Sequence, residues 1–233
     1  MSYHGVLIDW SGTVAHDPDL AARLRWALCS LDRPHDDEAV FPLLDGHRRA
    51  EQAPEIIDAV RDYDCDARRH RAAKMLLYQW AGYDTDFANR LYAFDTHAAN
   101  RPLFVDVVDV LVRIRRSGRR LVLLSDIHFD LRVLLGGQGI ADLFDDFALS
   151  FECGLQKPDP RFFQLGLDRL GTSADRTLMV GDVAAKDGGA AEIGITTLIL
   201  PRQVAHPDLP RLGPLASILD LRPGPETSAL CPR

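Results

Sequence analysis

The sequence predicts an α/β fold: a mainly parallel sheet flanked by helices, interrupted early by an α-helical insertion. Three observations predict it. Short apolar runs recur along the chain and stop at polar residues, as strands do in open sheets that place chemistry at their carboxyl ends. From Pro102 onward these runs alternate with stretches of helical periodicity, the pattern of crossovers between parallel strands. Between residues 18 and 99 no run alternates like a strand, and apolar residues recur at helical spacing instead.

The first strand is expected over residues 6–9, ending on the carboxylate Asp9, with a polar connector over 10–17. The insertion reads as helical: Leu20, Leu24, Ala27 and Leu31, then Ile56, Ile57, Val60 and Tyr63, then Ala72, Leu76 and Trp80, with an arginine-rich opposite face and Gly82 as a stop. Pro102 opens a helix through Val105, Val108, Leu111, Val112 and Ile114, closed by Gly118. Residues 120–124 form a strand that ends at Ser125. A helix follows over 131–143, with a Gly136-Gly137 break, and then a short strand over 147–150. After Lys157-Pro-Asp-Pro come a helix over 161–170 and a strand over 177–180 that ends at Gly181-Asp182. A helix over 188–193 and a strand over 196–200 complete the pattern. The expected organisation is a core of residues 1–17 and 100–221, a helical cap of residues 18–99, and a flexible tail, 222–233, without periodicity.

Size and composition bound the function. The 233 residues suffice for a core domain with a smaller inserted one. A composition of 46% apolar and 26% charged residues is that of a globular protein, and a net charge of −7 argues against nucleic acid as a partner. No apolar stretch approaches the roughly 20 residues of a membrane-spanning helix. The first residues lack the basic and apolar regions of a secretory signal, so the expected location is the cytoplasm. Cys29, Cys65, Cys153 and Cys231 form no CxxC pair and read as reduced thiols. Lysine occurs only at 74, 157 and 186, which makes a lysine within a motif notable.

Four polar stations stand at or just beyond strand ends: Asp9 before Gly12-Thr13, Ser125-Asp126, Lys157, and Asp182 with Asp187. Each alone is a helix cap, a turn former or a surface charge. Together they make a metal-assisted phosphoryl site. Paired carboxylates coexist when a hard cation lies between them, and Mg²⁺ prefers oxygen ligands. A lysine and a hydroxyl neutralise phosphoryl oxygens, turn-exposed N–H groups at Gly12 and Thr13 suit an anion, and a carboxylate held against phosphorus can attack it.

In order and spacing, Asp9-x-x-Gly12-Thr13, Ser125, Lys157 before Pro158 and Gly181-Asp182-xxxx-Asp187 resemble the motifs of the haloacid dehalogenase (HAD) superfamily. The resemblance covers essentially the whole chain, and the insertion looks like the cap of the C1 subfamily. It implies a Rossmann-like sheet in which Asp9 and Asp182 meet at the switch point. It implies Asp9 as nucleophile, Ser125 and Lys157 as phosphoryl binders, and Mg²⁺ held by Asp9, Asp182 and the Ser11 carbonyl, with Asp187 as a further ligand. The substrate it implies is a small phosphorylated metabolite, handled by a monomer or homodimer.

One position departs from the family. Ser11 stands where most of its phosphatases carry the Asp that protonates the leaving oxygen, and a hydroxyl cannot do so near neutrality. Three readings follow. The chain is a phosphatase whose proton comes from elsewhere, with His16 and His128 as candidates near the cleft. Alternatively it is similar to phosphonoacetaldehyde hydrolases, whose first motif resembles Asp9-Trp10-Ser11-Gly12-Thr13 and whose cap lysine forms a Schiff base; Lys74 is the only lysine of the insertion, and Lys157 stands where those enzymes tend to carry Arg. Or it is a weak scaffold that binds a phosphorylated ligand or a partner. In the cap, His47, Arg48, Trp80 and Tyr83 are candidates for the pocket wall, Trp10 for the hinge, and the arginines at 48, 49, 68, 69 and 71 for a solvated face.

Overall fold

The computed structural model describes residues 2–201 and 207–222. Five strands, β1 (Gly5–Ile8), β2 (Arg120–Ser125), β3 (Asp146–Leu149), β4 (Thr177–Gly181) and β5 (Thr196–Ile199), form one parallel sheet in the order β3-β2-β1-β4-β5. The expected parallel sheet flanked by helices is thus present. The central strands β1, β2 and β4 are largely apolar because both of their faces are covered. Val6, Ile8, Leu121, Leu123, Leu178 and Val180 point into one core, and Leu7, Val122, Leu124 and Met179 into the other.

The chain runs outward from β1 to β2 and β3, then returns to place β4 on the other side of β1. The crevice at the carboxyl ends of β1 and β4 is therefore where strand order reverses. Ile8 lies opposite Val180 in register, and the Asp9 N–H donates to the Val180 carbonyl at 2.9 Å.

The insertion folds into α1 (Leu20–Cys29), α2 (Asp37–Glu51), α3 (Pro54–Ala59), α4 (Ala67–Trp80) and α5 (Thr85–Ala93) around its own apolar cluster, which includes Leu24, Val40, Ile56, Leu77, Phe87 and Leu91. Four of these helices start at an aspartate whose carboxylate accepts from the first-turn backbone: Asp19, Asp36, Asp66 and Asp84. The remaining helices are α6 (Val107–Arg116), α7 (Leu131–Gly137), α8 (Ser150–Cys153), α9 (Pro160–Leu170), α10 (Ala184–Asp187) and α11 (Gly213–Ile218).

Some boundaries differ from the sequence expectation, each for a local reason. The helix expected from Pro102 begins at Val107, because residues 102–104 pair with the connector instead: His16 N–H donates to the Pro102 carbonyl and Phe104 N–H to that of Val14. The helix expected over 131–143 stops at Gly137, and Gly139, with φ +73°, turns the chain into a separate 3₁₀ turn. Ser150 opens α8 rather than closing β3; its hydroxyl accepts from Ile127 N–H at 2.8 Å. Residues 188–193 form a 3₁₀ segment. The expected tail beyond residue 222 and Cys231 lie outside the described residues. The cysteines at 29, 65 and 153 are free.

Candidate active site

Asp9, Asp182 and Asp187 converge beyond the ends of β1 and β4. All three are buried, and each offers a carboxylate oxygen within 4.8 Å of the others. The Lys157 ammonium sits among them, donating to Asp9 Oδ1 and Asp187 Oδ1 at 2.6 Å each. Two glycines make this approach possible. A Cβ at Gly12, where φ is +75°, would lie 2.3 Å from Asp182 Oδ2, and one at Gly181 would lie 2.1 Å from the Asp187 carboxyl carbon. A further brace for Asp187 is Val183 N–H, which donates to its second oxygen at 2.9 Å.

Charge balance in this cluster is tight. Burial pushes the Asp9 carboxyl up to about 7, with the neighbouring Asp187 and Asp182 adding to the rise and Lys157 opposing it. Burial also works against the Lys157 ammonium, yet Asp9 and Asp187 outweigh it and hold its pKa above the ordinary lysine range. Three buried carboxylates, two of them in contact with one ammonium, form a donor set of hard oxygens with negative charge to spare. That set suits a divalent cation such as Mg²⁺.

These residues form the floor of a cleft of about 840 Å³ between core and cap. Ser11, Gly12, Asp126 and His128 also line it, as do Lys74, His47, Tyr63 and Tyr78 from the cap. All three lysines of the chain therefore face one cleft.

Several expected residues are placed differently. His16 is not part of the cleft wall; its ring meets the edge of Phe104 at 6.0 Å. Ser125, 1% exposed, and Thr13, 0% exposed, lie beneath the wall rather than on it, and the wall past β2 is made by residues 126–128. Asp126 lines the cleft, but its carboxylate is committed. One oxygen accepts from Lys157 N–H and the other from the Lys186 ammonium, both at 2.9 Å. It braces the lysine loop rather than facing a substrate. In the cap, Trp80 is half exposed, Arg48 faces solvent, and Tyr83 is buried against the Leu43 carbonyl and His47. The arginines at 49, 68, 69 and 71 form the solvated face. Trp10 packs in the core.

The sequence reading missed a four-charge ring at the junction of core and cap. Asp95 Oδ1 accepts from Arg101 at 2.6 Å and from Arg23 at 2.8 Å, and Asp17 pairs with both guanidinium groups. Burial would raise the Asp95 carboxyl, but the two arginines hold it below the usual range. Arg101 also donates to Ser11 Oγ at 3.2 Å. The only sequence signal was the position of these charges where the connector leaves and re-enters the core. Arg211 was missed as well; its Nε donates to the Gly12 carbonyl at 2.8 Å and fixes the turn that follows Asp9.

A second trio, Asp64, His70 and His128, brings ligand atoms within 4.8 Å across the cap–core boundary. Its two imidazoles are stacked, with centroids 3.5 Å apart and planes 6° from parallel. Their in-plane lone pairs therefore run side by side and cannot meet at one ion. The arrangement is a packing contact, and burial lowers both imidazoles, His128 to about 4.

A phosphoserine phosphatase of Thermus thermophilus is 35% identical over 132 residues, 56% of this chain and 53% of that protein, so the match spans about half of the relative's length. A HAD phosphatase from Thermococcus onnurineus superposes with a TM-score of 0.62 at 21% identity, covering 96% of this chain and 100% of that one. A HAD family enzyme from Bacteroides thetaiotaomicron, in complex with magnesium and inorganic phosphate, superposes with a TM-score of 0.57 at 16% identity, covering 85% and 94%. These two likenesses show the shared fold. The model of the haloacid dehalogenase-like hydrolase family matches residues 3–194, which take in β1–β4, the cap and all four polar stations. By that match, this chain belongs to the haloacid dehalogenase-like hydrolase family.

Proposed function

We propose that the chain is a Mg²⁺-dependent phosphatase that acts on a small phosphorylated metabolite through an aspartyl phosphate on Asp9. The observation that carries this reading is the buried cluster of Asp9, Asp182 and Asp187 around the Lys157 ammonium. The magnesium- and phosphate-bound relative of the same fold supports it.

In this reading Asp9, Asp182 and the Ser11 carbonyl hold the metal, with Asp187 beside them. When bound, the metal neutralises phosphoryl charge and keeps the nucleophile ionised. Asp9 presents a carboxylate oxygen to phosphorus; the P–O ester bond breaks, and the alkoxide leaves with the bond pair. Lys157, locked by Asp187, takes a phosphoryl oxygen, while Ser125, expected to share that role, lies beneath the wall at the end of β2. The Gly12 turn is held by Arg211 and shapes the floor of the cleft; the Gly12 and Thr13 N–H groups expected to meet the anion instead donate to the Ala15 and Trp10 carbonyls. Water then attacks the phosphoryl group and regenerates Asp9. The cap excludes bulk water from the cleft.

Ser11 supplies no proton to the leaving alkoxide. His16 does not line the cleft, and His128, lowered by burial, is neutral near pH 7. The enzyme therefore works fastest on esters whose leaving group needs little protonation. The test is Mg²⁺-dependent release of p-nitrophenol from its phosphate ester. Loss of turnover on removal of Mg²⁺ and in Asp9→Asn is expected; turnover that survives both would end this reading.

A second reading has one observation in its favour. Lys74 lines the same cleft as Asp9, and burial lowers its pKa, as an amine that condenses with an aldehyde requires. A C–P bond hydrolase similar to phosphonoacetaldehyde hydrolase would be trapped by borohydride as an adduct at Lys74.

A further inference from the structure

The cations of the cleft are unequally matched. Arg23 and Arg101 are each paired with Asp17 and Asp95, Lys157 with Asp9 and Asp187, and Lys186 with Asp126. Lys74 has no ion pair among the described residues. Its ammonium instead lies over the face of Tyr63, 5.5 Å from the ring centre. Moving a cation out of water without a counter-charge is costly, and burial lowers this amine accordingly. The ring face offsets part of that cost and favours the charged form over the free amine. Asp95, Asp64 and Glu51 act on the amine only from beyond ion-pair distance, and Asp95 is already paired with Arg23 and Arg101; what Lys74 lacks is an anion in contact.

Its place in the fold says whose anion. Lys74 projects from α4 of the cap, across the cleft from the Asp9 cluster on the core. A second cavity of about 480 Å³ shares Glu51, Tyr63, Lys74 and Lys186 with the cleft, so there is room for a ligand tail at this end.

Resting on the phosphatase reading, the geometry points to Lys74 as the specificity residue of this site. It receives a second anionic group, a carboxylate, on the tail of the phosphorylated substrate. The preferred substrate class is therefore a phosphorylated carboxylic acid rather than a phosphorylated alcohol. Binding would give Lys74 the direct ion pair it lacks in the folded cap, and would tie cap to core through the substrate itself.

The test uses ligands that are not turned over. Calorimetry on the Mg²⁺-loaded full chain compares 3-phosphonopropionate and 4-phosphonobutyrate with propyl- and butylphosphonate, which lack the carboxylate. The wild type is expected to bind the phosphonocarboxylates about tenfold more tightly or better. In Lys74→Met that ratio collapses to about one, and in Lys74→Arg a preference returns. Melting curves establish that each variant is folded. A wild type that binds alkylphosphonates equally well overturns the Lys74 assignment alone, as does a preference that persists in Lys74→Met. A wild type that binds neither class overturns the phosphatase reading and this inference with it. A borohydride-trapped adduct of phosphonoacetaldehyde at Lys74 would replace carboxylate recognition with imine formation.

Discussion

Arg101 donates to the Ser11 hydroxyl at 3.2 Å, so the residue two places after the nucleophile position lies under a guanidinium. A carboxylate introduced there would gain an ion pair as well as a view of the leaving oxygen. Ser11→Asp is expected to speed hydrolysis of alkyl phosphates relative to p-nitrophenyl phosphate. A missing general acid is typically worth roughly 10²–10⁴-fold. Arg101 would hold the new carboxyl ionised, so the gain should be nearer about tenfold and should grow as pH falls. Steady-state rates on the two ester classes measure it. A Ser11→Asp protein that folds, binds Mg²⁺ and is slower on alkyl phosphates would refute this account of the position.

Lys157 holds its ammonium between the buried Asp9 and Asp187 carboxylates, and its side chain is 3% exposed. Lys157→Met would leave Asp9 and Asp187 as neighbouring buried carboxylates. Breaking a buried pair in this way costs on the order of 3–5 kcal/mol. Urea unfolding without metal should show a loss of that size, partly recovered by Mg²⁺, and turnover should vanish. An unchanged midpoint without metal would mean that the ammonium contributes no net stability.

How much of this was readable in the chain follows from where each signal resides. Asp9 and Asp182 were legible because each follows an apolar strand, and a buried strand that stops on a carboxylate has few purposes. Lys157 stood out in an arginine-rich chain. The ring of Asp17, Arg23, Asp95 and Arg101 was not legible: each is an ordinary charged residue, and Arg101 pairs with Asp17 only because the cap begins and ends at one hinge. Nor could local pattern separate His16 from His128. Each follows a motif residue closely, yet only His128 faces the cleft, because the backbone at His16 is drawn into pairing with Pro102. Lys74 looked remote at position 74; the fold of α4 over the core brings it to the site.

Metal binding should be visible as stability before any activity is measured. A ligand that binds only the folded state stabilises it by about 2.7 kcal/mol at a hundred times its Kd. Millimolar Mg²⁺ should therefore raise the melting temperature by several degrees, and chelator should reverse the shift. Asp182→Asn should abolish the response, since it removes a carboxylate within 4.8 Å of the other two. A shift that persists unchanged in Asp182→Asn would place the ion elsewhere.

The stacked imidazoles of His70 and His128 make stability depend on pH in a defined direction. Burial lowers His128 from 6.5 to about 4, and lowers His70 further, with the neighbouring His128 and Lys74 adding to that drop. Below about pH 6.5 the unfolded chain takes protons that the folded chain refuses, so this contribution is complete above pH 6.5 and is lost as pH falls toward 4. Asp9 and Asp64 act in the opposite sense, because burial raises their carboxyls to about 7 and about 6. The measurement must therefore be a difference. His128→Phe keeps a flat ring against His70 and deletes the titration. Between pH 7.5 and 5, wild type should lose about 2 kcal/mol more unfolding free energy than His128→Phe, given about 1.4 kcal/mol per pKa unit. Parallel pH profiles for the two proteins would show that the core imidazole is not held neutral by the cap, and that the cap–core contact opens freely to water.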